Sequence, residues 1–335
     1  MSVTDLVPII RIAARGEGIT EDGRHSPLSA PGDLLAIDGT LTHGPHHVDP
    51  PCRHFPKCGG CQLQHIDDAS YGDFLGQRIA SALSHQKLAA PELAPALLSA
   101  PGTRRRASLR AERQGKKMLL GFNEAQTHHI VDLRMCAILH PDLFALVAPL
   151  RQLLHPMLRD RRAAGVQMTL VDQGVDLLIE KVEIEGLAAI EALNDFAVRH
   201  GLARLSVDDG YGAQPRWEPE PATVTLGGVH VAFPPAGFLQ ATAEGEIALV
   251  AAVEAIVGDA AIVADLFSGL GTFALPLART RRVYAAEGAR DAALALKAAA
   301  DRARRAIAID HRDLFRRPLD PTELDRFDAI VLDPP

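Results

Sequence analysis

The sequence predicts an α/β chain. Its C-terminal third reads as a parallel sheet with crossover helices, behind an α+β central domain and a short N-terminal β module. Three observations carry this. After Gln240, apolar runs of strand length alternate with helical patterns, the rhythm of βαβ units. Between 103 and 235, paired strand signals flank short turns, the Gly227-Gly228 step above all. Three of the chain's four cysteines fall within residues 52–61.

Taken in order, residues 1–48 read as short strands, with apolar runs at 8–13 and 34–37 punctuated by Gly16, Gly18, Gly23, Pro31 and Gly32. A His/Pro-rich linker at 43–51 leads into the cysteine loop, and a helix is expected at 71–88. Strands are expected at 106–113 and 117–122 around Gln114-Gly115, and at 167–171 and 175–180 around 172–174. A hairpin follows at 223–226 and 229–233. With helices at 141–158 and 187–200, this makes an antiparallel sheet with helices. The last region reads as helix 244–257, strand 262–266, helix 272–278, strand 282–286, helix 289–304 and strands 307–309 and 329–332. The expected domains are 1–48, 49–235 and 236–335.

The length of 335 residues suits two or three domains, and an apolar share of 47% with only 4% aromatics implies a core of small aliphatic side chains. No apolar run reaches the ~18 residues of a membrane span, and the N-terminus lacks the pattern of a signal peptide, so a cytoplasmic protein is expected. The net charge of −7 argues mildly against nucleic acid as a partner, but charge acts locally. Arg104, Arg105, Arg106, Arg110, Arg113, Lys116 and Lys117 crowd one stretch, opposed by Glu112. Strand alternation would set several on one face, able to hold backbone phosphates.

The stretch 51–65 reads PCRHFPKCGGCQLQH, so Cys52, Cys58 and Cys61 have C-x5-C-x2-C spacing. Four cysteines in so long a chain are no disulfide scaffold, and clustered ones bind metal or do chemistry in a reducing compartment. Gly59 and Gly60 let the backbone curl closely around a centre, and Cys136 is the natural fourth ligand. Four thiolates suit a [4Fe–4S] cluster or a structural zinc.

A nucleotide-type site is expected at 263–278, VADLFSGLGTFALPLA. An apolar strand ends at Asp265, and Gly269 and Gly271 allow a ligand to approach backbone where a helix opens. The next strand ends in Glu287, about 20 residues on, a carboxylate placed to accept ribose hydroxyls. Asp313 follows the third strand, where it could reach adenine or ribose. Asp333, in DAIVLDPP, follows the last one and begins a rigid rim.

These motifs resemble the uracil-5 RNA methyltransferases that carry an iron–sulfur cluster, the bacterial tRNA and 23S rRNA enzymes. The resemblance runs over essentially the whole chain and rests on the cysteine loop with Cys136 and on DLFSGLGTFALPLA. It implies an incomplete Rossmann-like S-adenosylmethionine-dependent domain, a central domain with the iron–sulfur loop, and a shortened N-terminal TRAM or OB-like module for RNA. It makes Cys52, Cys58, Cys61 and Cys136 the ligands of a [4Fe–4S] cluster. It gives cofactor contacts to Gln240 of GFLQAT, Phe267, Thr272, Glu287, Asp313 and Asp333. It favours 23S rRNA over tRNA, softly, and a monomer. The sequence departs from the family at Thr242 and Thr272, where Asn is usual or common, and in the Ala-rich segment 295–303.

In this family a cysteine thiolate adds to C6 of uracil, making C5 nucleophilic enough to take the methyl group, and a later Glu removes the C5 proton. Both residues are expected beyond Pro335, so the resemblance implies a truncated, inactive piece of a longer protein. Two other readings are a non-catalytic RNA-binding protein with a methyltransferase-like shell and a zinc-bearing oxidoreductase with a dinucleotide site.

Overall fold

The computed structural model describes residues 6–335. Two compact units emerge: residues 1–100 with 122–137, and residues 101–121 with 138–335.

The first unit opens with five short strands, β1 (Leu6–Ile12), β2 (Gly18–Thr20), β3 (His25–Ser26), β4 (Leu34–Ala36) and β5 (Leu41–Thr42), in the order β3-β2-β1-β4-β5. Every pairing is antiparallel, as expected of strands joined by glycine turns. Asp33 is buried and accepts the amides of Ala30 at 2.8 Å and Gly44 at 2.7 Å, which ties the turn before β4 to the chain leaving β5. Helix α1 (Asp68–His85) starts three residues before the expected 71, because Asp67 caps it by accepting the Ser70 amide at 2.8 Å. Ile12, Ala30, Ile66 and Phe74 form the core that holds β1, the cysteine-loop end and α1 together.

The second unit contains a six-stranded sheet. Its members are β6 (Arg106–Gln114), β7 (Lys117–Gly121), β8 (Ala163–Val171), β9 (Gly174–Glu180), β10 (Arg204–Asp208) and β11 (Gln214–Trp217), ordered β11-β10-β9-β8-β6-β7. Helices α2 (Pro141–Ala145) and α3 (Val147–Met157) occupy the expected 141–158, broken at Leu146; α4 (Leu187–Arg199) links β9 to β10. The expectation of an antiparallel sheet holds for β6 to β9 but needs correction at β10, which runs parallel to β9. The physical reason is α4: a crossover helix returns the chain to the same end of the sheet.

Arg204 on β10 and Asp176 on β9 sit inside this unit, each side chain 4% exposed, in a two-pronged pair at 2.8 and 2.9 Å. Arg204 also donates to the Phe233 carbonyl at 2.8 Å, tying the sheet to the hairpin β12 (Thr223–Leu226) and β13 (Val229–Ala232). Removing one partner strands a buried charge, at a cost of about 3–5 kcal/mol. Arg204→Leu is therefore expected to lower the unit's melting midpoint by roughly 6–20 °C. The Asp176→Leu/Arg204→Leu double variant should recover much of that. A single variant that melts within a degree or two of the parent would refute this role.

The remainder of the second unit is helix α5 (Ala243–Val257), β14 (Ile262–Leu266), α6 (Ala274–Leu277), β15 (Arg282–Glu287), α7 (Arg290–Arg302), β16 (Ile307–His311), α8 (Pro321–Leu324) and β17 (Ala329–Leu332). The four strands are all parallel, ordered β16-β15-β14-β17. The chain runs from β14 through β15 to β16 on one side and then crosses to β17 on the other, so the order reverses between β14 and β17, and the carboxyl ends of these strands open into a crevice, the place where open α/β sheets bind ligands. Val263, Leu270, Leu275, Val283 and Leu296 pack one face and Ala264, Leu266, Leu314 and Leu319 the other.

Candidate active site

A cavity of about 610 Å³ opens at that crevice. Its floor is the turn after β14. Phe267 takes a left-handed φ of 64° and Gly269 one of 55°, and Gly271 sits at 94°. At Gly271 a Cβ would lie 2.5 Å from Leu296 Cδ1, so only glycine lets the turn seat on α7. The turn delays α6 to Ala274, two residues later than the expected 272.

Glu287, at the tip of β15, governs the site. Gly269 N–H donates to its Oε2 at 2.7 Å and Ala289 N–H to its Oε1 at 2.6 Å. One carboxylate thus fixes the glycine turn and the start of α7, and keeps lone pairs for further donors. Gln240, Phe267, Gly269, Thr272, Glu287 and Asp333 all line the cavity, so six of the nine expected cofactor residues meet there. The other three lie elsewhere. Asp265 is fully buried. Gly271 packs on Leu296 and Leu275. Asp313 caps its own turn, accepting the amides of Phe315 at 3.0 Å and Arg316 at 3.2 Å, with its backbone close beside Gly288.

Sequence reasoning missed the segment 234–238, whose Pro234, Pro235, Ala236, Gly237 and Phe238 form another wall. It has no regular structure, and its one available signal was the PPAG run before GFLQ. The Arg106 guanidinium stacks over the Phe238 ring at 4.4 Å. The basic stretch is less uniform than the sequence suggests. Arg105 pairs with Glu246 at 2.6 Å and donates to the Gln240 carbonyl, bracing the segment that carries Gln240. Arg113 donates to the carbonyls of His155 and Leu158. Arg106 and Arg110 alternate onto the outward face of β6, together with Glu112.

In the first unit the four cysteines are free thiols, Cys52 and Cys58 buried, Cys61 and Cys136 half-buried. Cys58 bridges to Glu124, and Gly59 N–H donates to the Asn123 carbonyl at 2.9 Å. A Cβ on Gly59 would lie 2.8 Å from that oxygen, so the loop needs glycine there. Burial pushes the Cys58 and Cys61 thiols up, and each also feels Cys52 and Cys136. Cys58 and Cys61 thus each lie within electrostatic reach of Cys52 and Cys136. Among the described residues, no group of three or more His, Cys, Asp or Glu side chains is arranged to hold a metal ion. No helix among them is long and apolar enough to cross a membrane.

No protein-family model matches the chain. Its relatives are more informative. An uncharacterized RNA methyltransferase of Zymomonas mobilis is 53% identical over 327 residues, 98% of this chain and 82% of the relative. The 23S rRNA (uracil(1939)-C(5))-methyltransferase RlmD of Pectobacterium atrosepticum is 30% identical over 305 residues, 88% of this chain and 67% of that protein. The chain belongs to the RNA uracil-5-methyltransferase family. Members are S-adenosylmethionine-dependent enzymes, and this chain is one of them. Among solved structures, the Pyrococcus abyssi tRNA (uracil-54, C5)-methyltransferase in complex with S-adenosyl-L-homocysteine shares the fold. Its TM-score is 0.74 at 18% identity, over 100% of this chain and 84% of that one. The parallel C-terminal sheet is thus the Rossmann-like core of this methyltransferase family, preceded by an N-terminal β module. Family membership displaces the zinc oxidoreductase reading.

Proposed function

We propose that this protein transfers a methyl group from S-adenosylmethionine to C5 of a uridine in structured RNA, with the cavity at the carboxyl ends of β14, β15 and β17 as the cofactor site. The observation that carries the reading is the convergence of Gln240, Phe267, Thr272, Glu287 and Asp333 on one cavity. The residues present fit an adenosine-bearing sulfonium. Glu287 offers carboxylate lone pairs to ribose hydroxyls, Phe267 offers an apolar ring, and Asp333 offers negative charge near a positive sulfur. When bound, the cofactor supplies an electrophilic methyl group. The chain's own task is to hold it, exclude water and present the base, which must leave its stack. Asp313, beside Gly288, is assigned to the adenosine end, while Asp265 and Gly271 shape the turn from behind.

The first unit is assigned a [4Fe–4S] cluster held by Cys52, Cys58, Cys61 and Cys136. The donor set fits: four free thiols that influence one another, on a loop whose glycines bring backbone close. Such a cluster would be held by these four thiolates. The cluster is read as structural or RNA-positioning, the N-terminal module as TRAM-like, and the enzyme as cytoplasmic.

Both 23S rRNA and tRNA are candidate substrates. The Pectobacterium relative acts on 23S rRNA. The tRNA alternative draws on the Pyrococcus enzyme, matched over the whole chain. The protein, given methyl-labelled S-adenosylmethionine with tRNA and with 23S rRNA transcripts, distinguishes them. Label recovered as 5-methyluridine from one RNA is the expected result. Label on another base or position would overturn the reading.

A further inference from the structure

This inference rests on the S-adenosylmethionine reading of the cavity and concerns a residue behind its wall. Asp265 is 0% exposed, and neither carboxylate oxygen has a hydrogen-bond partner. The Ala274 amide comes near enough to ease its charge without closing a well-formed bond. A buried carboxylate left this way is costly when ionised.

Its surroundings sharpen the problem. On β14 its neighbours across the sheet are Ala285 of β15 and Val331 of β17. The charged groups facing it are Asp333, just past β17, and Glu287, at the tip of β15. Both also line the cavity. The turn 267–273 above it is uncharged, and α7 packs the same face with Leu296 and alanines. Arg290 and Asp291, at the start of α7, lie in the cavity wall. Three carboxylates therefore share one end of the sheet, and the buried one has the least solvation. Burial first, then Asp333 and Glu287, push Asp265 up to about 7.

We propose that Asp265 is a positioning residue that keeps a proton in the ligand-free protein and releases it to solvent when a sulfonium occupies the cavity, so that the site prefers the cationic methyl donor to its neutral thioether product. The physical reason is charge balance. A positive sulfur offsets the mutual repulsion of the three carboxylates, and a thioether does not. The direction follows from linkage. The ligand-free protein holds the extra proton and the sulfonium complex does not, so sulfonium affinity rises with pH and levels off above about 7.

The test is calorimetric binding of S-adenosylmethionine and of S-adenosylhomocysteine between pH 6 and 8, in two buffers of different ionisation enthalpy. The expected preference for S-adenosylmethionine over the thioether grows about tenfold across that range, with roughly half a proton released per chain at pH 7. In Asp265→Asn, which keeps shape and cannot ionise, the preference should not change with pH. Equal pH slopes for the two ligands in the parent protein would overturn the proposal, and so would a slope that survives in Asp265→Asn. If that variant does not fold, the parent comparison decides alone. If neither ligand binds the folded parent at all, the cofactor reading itself fails and this proposal with it.

Discussion

Glu287→Ala is expected to weaken S-adenosylmethionine binding by about 10- to 100-fold, the loss of one or two hydrogen bonds to a charged acceptor. The carboxylate has two tasks. It braces the glycine turn through the Gly269 amide and the start of α7 through the Ala289 amide, at 2.7 and 2.6 Å. In the proposed complex its remaining lone pairs accept ribose hydroxyls. Glu287→Gln separates the tasks, since an amide keeps one acceptor oxygen but loses the charge and half the accepting capacity. The Gln variant should bind with intermediate affinity, and both variants should keep the parent's far-ultraviolet circular dichroism. An affinity for the Ala variant within threefold of the parent would remove Glu287 from the cofactor site. Because the residue sits on a strand tip inside a parallel sheet, a loss of affinity without loss of fold points to the site and not to the scaffold.

Glu287 was legible in the sequence because its position follows from periodicity. An apolar strand that ends in an acid, about 20 residues past a glycine turn, needs no tertiary information to be noticed. The same holds for Gly269, Gly271 and the alternation of strand and helix after residue 260. Three features were not legible, for physical reasons. The parallel pairing of β10 with β9 depends on where α4 returns the chain, and the run ARLSVDD is too short to announce a strand of either sense. The wall 234–238 has no period, since its prolines and glycine form irregular backbone positioned by Arg105 and the hairpin before it. Asp313 was expected where it could reach adenine or ribose; that its side chain also caps the amides of Phe315 and Arg316 could not be read from the sequence. Local hydrogen bonding of this kind is invisible to spacing.

Cys58→Ser is expected to abolish iron binding by the first unit, from about four irons and matching sulfide per chain in the anaerobically purified parent to near background. Cys58 is an informative position because its backbone is firmly placed. It is buried, its backbone bridges to Glu124, and the neighbouring Gly59 is locked to Asn123 with no room for a side chain. A serine hydroxyl fits that space but is a hard, weakly acidic donor where iron and sulfide need a thiolate. Burial holds the Cys58 thiol up as a thiol in the metal-free protein. Cluster assembly must therefore remove that proton, so iron uptake should be slower at pH 6 than at pH 8. Cys136→Ser, at a half-buried position outside the loop, should also lose the cluster if Cys136 is the fourth ligand. Should it instead keep full iron and the broad visible absorption, the fourth ligand lies elsewhere and only the three loop cysteines stand. Retention of full iron by Cys58→Ser would remove Cys58 from the ligand set, and one zinc and no colour in the parent would refute the iron–sulfur assignment; either leaves the methyltransferase core untouched, because the cysteines and the cofactor cavity belong to different units.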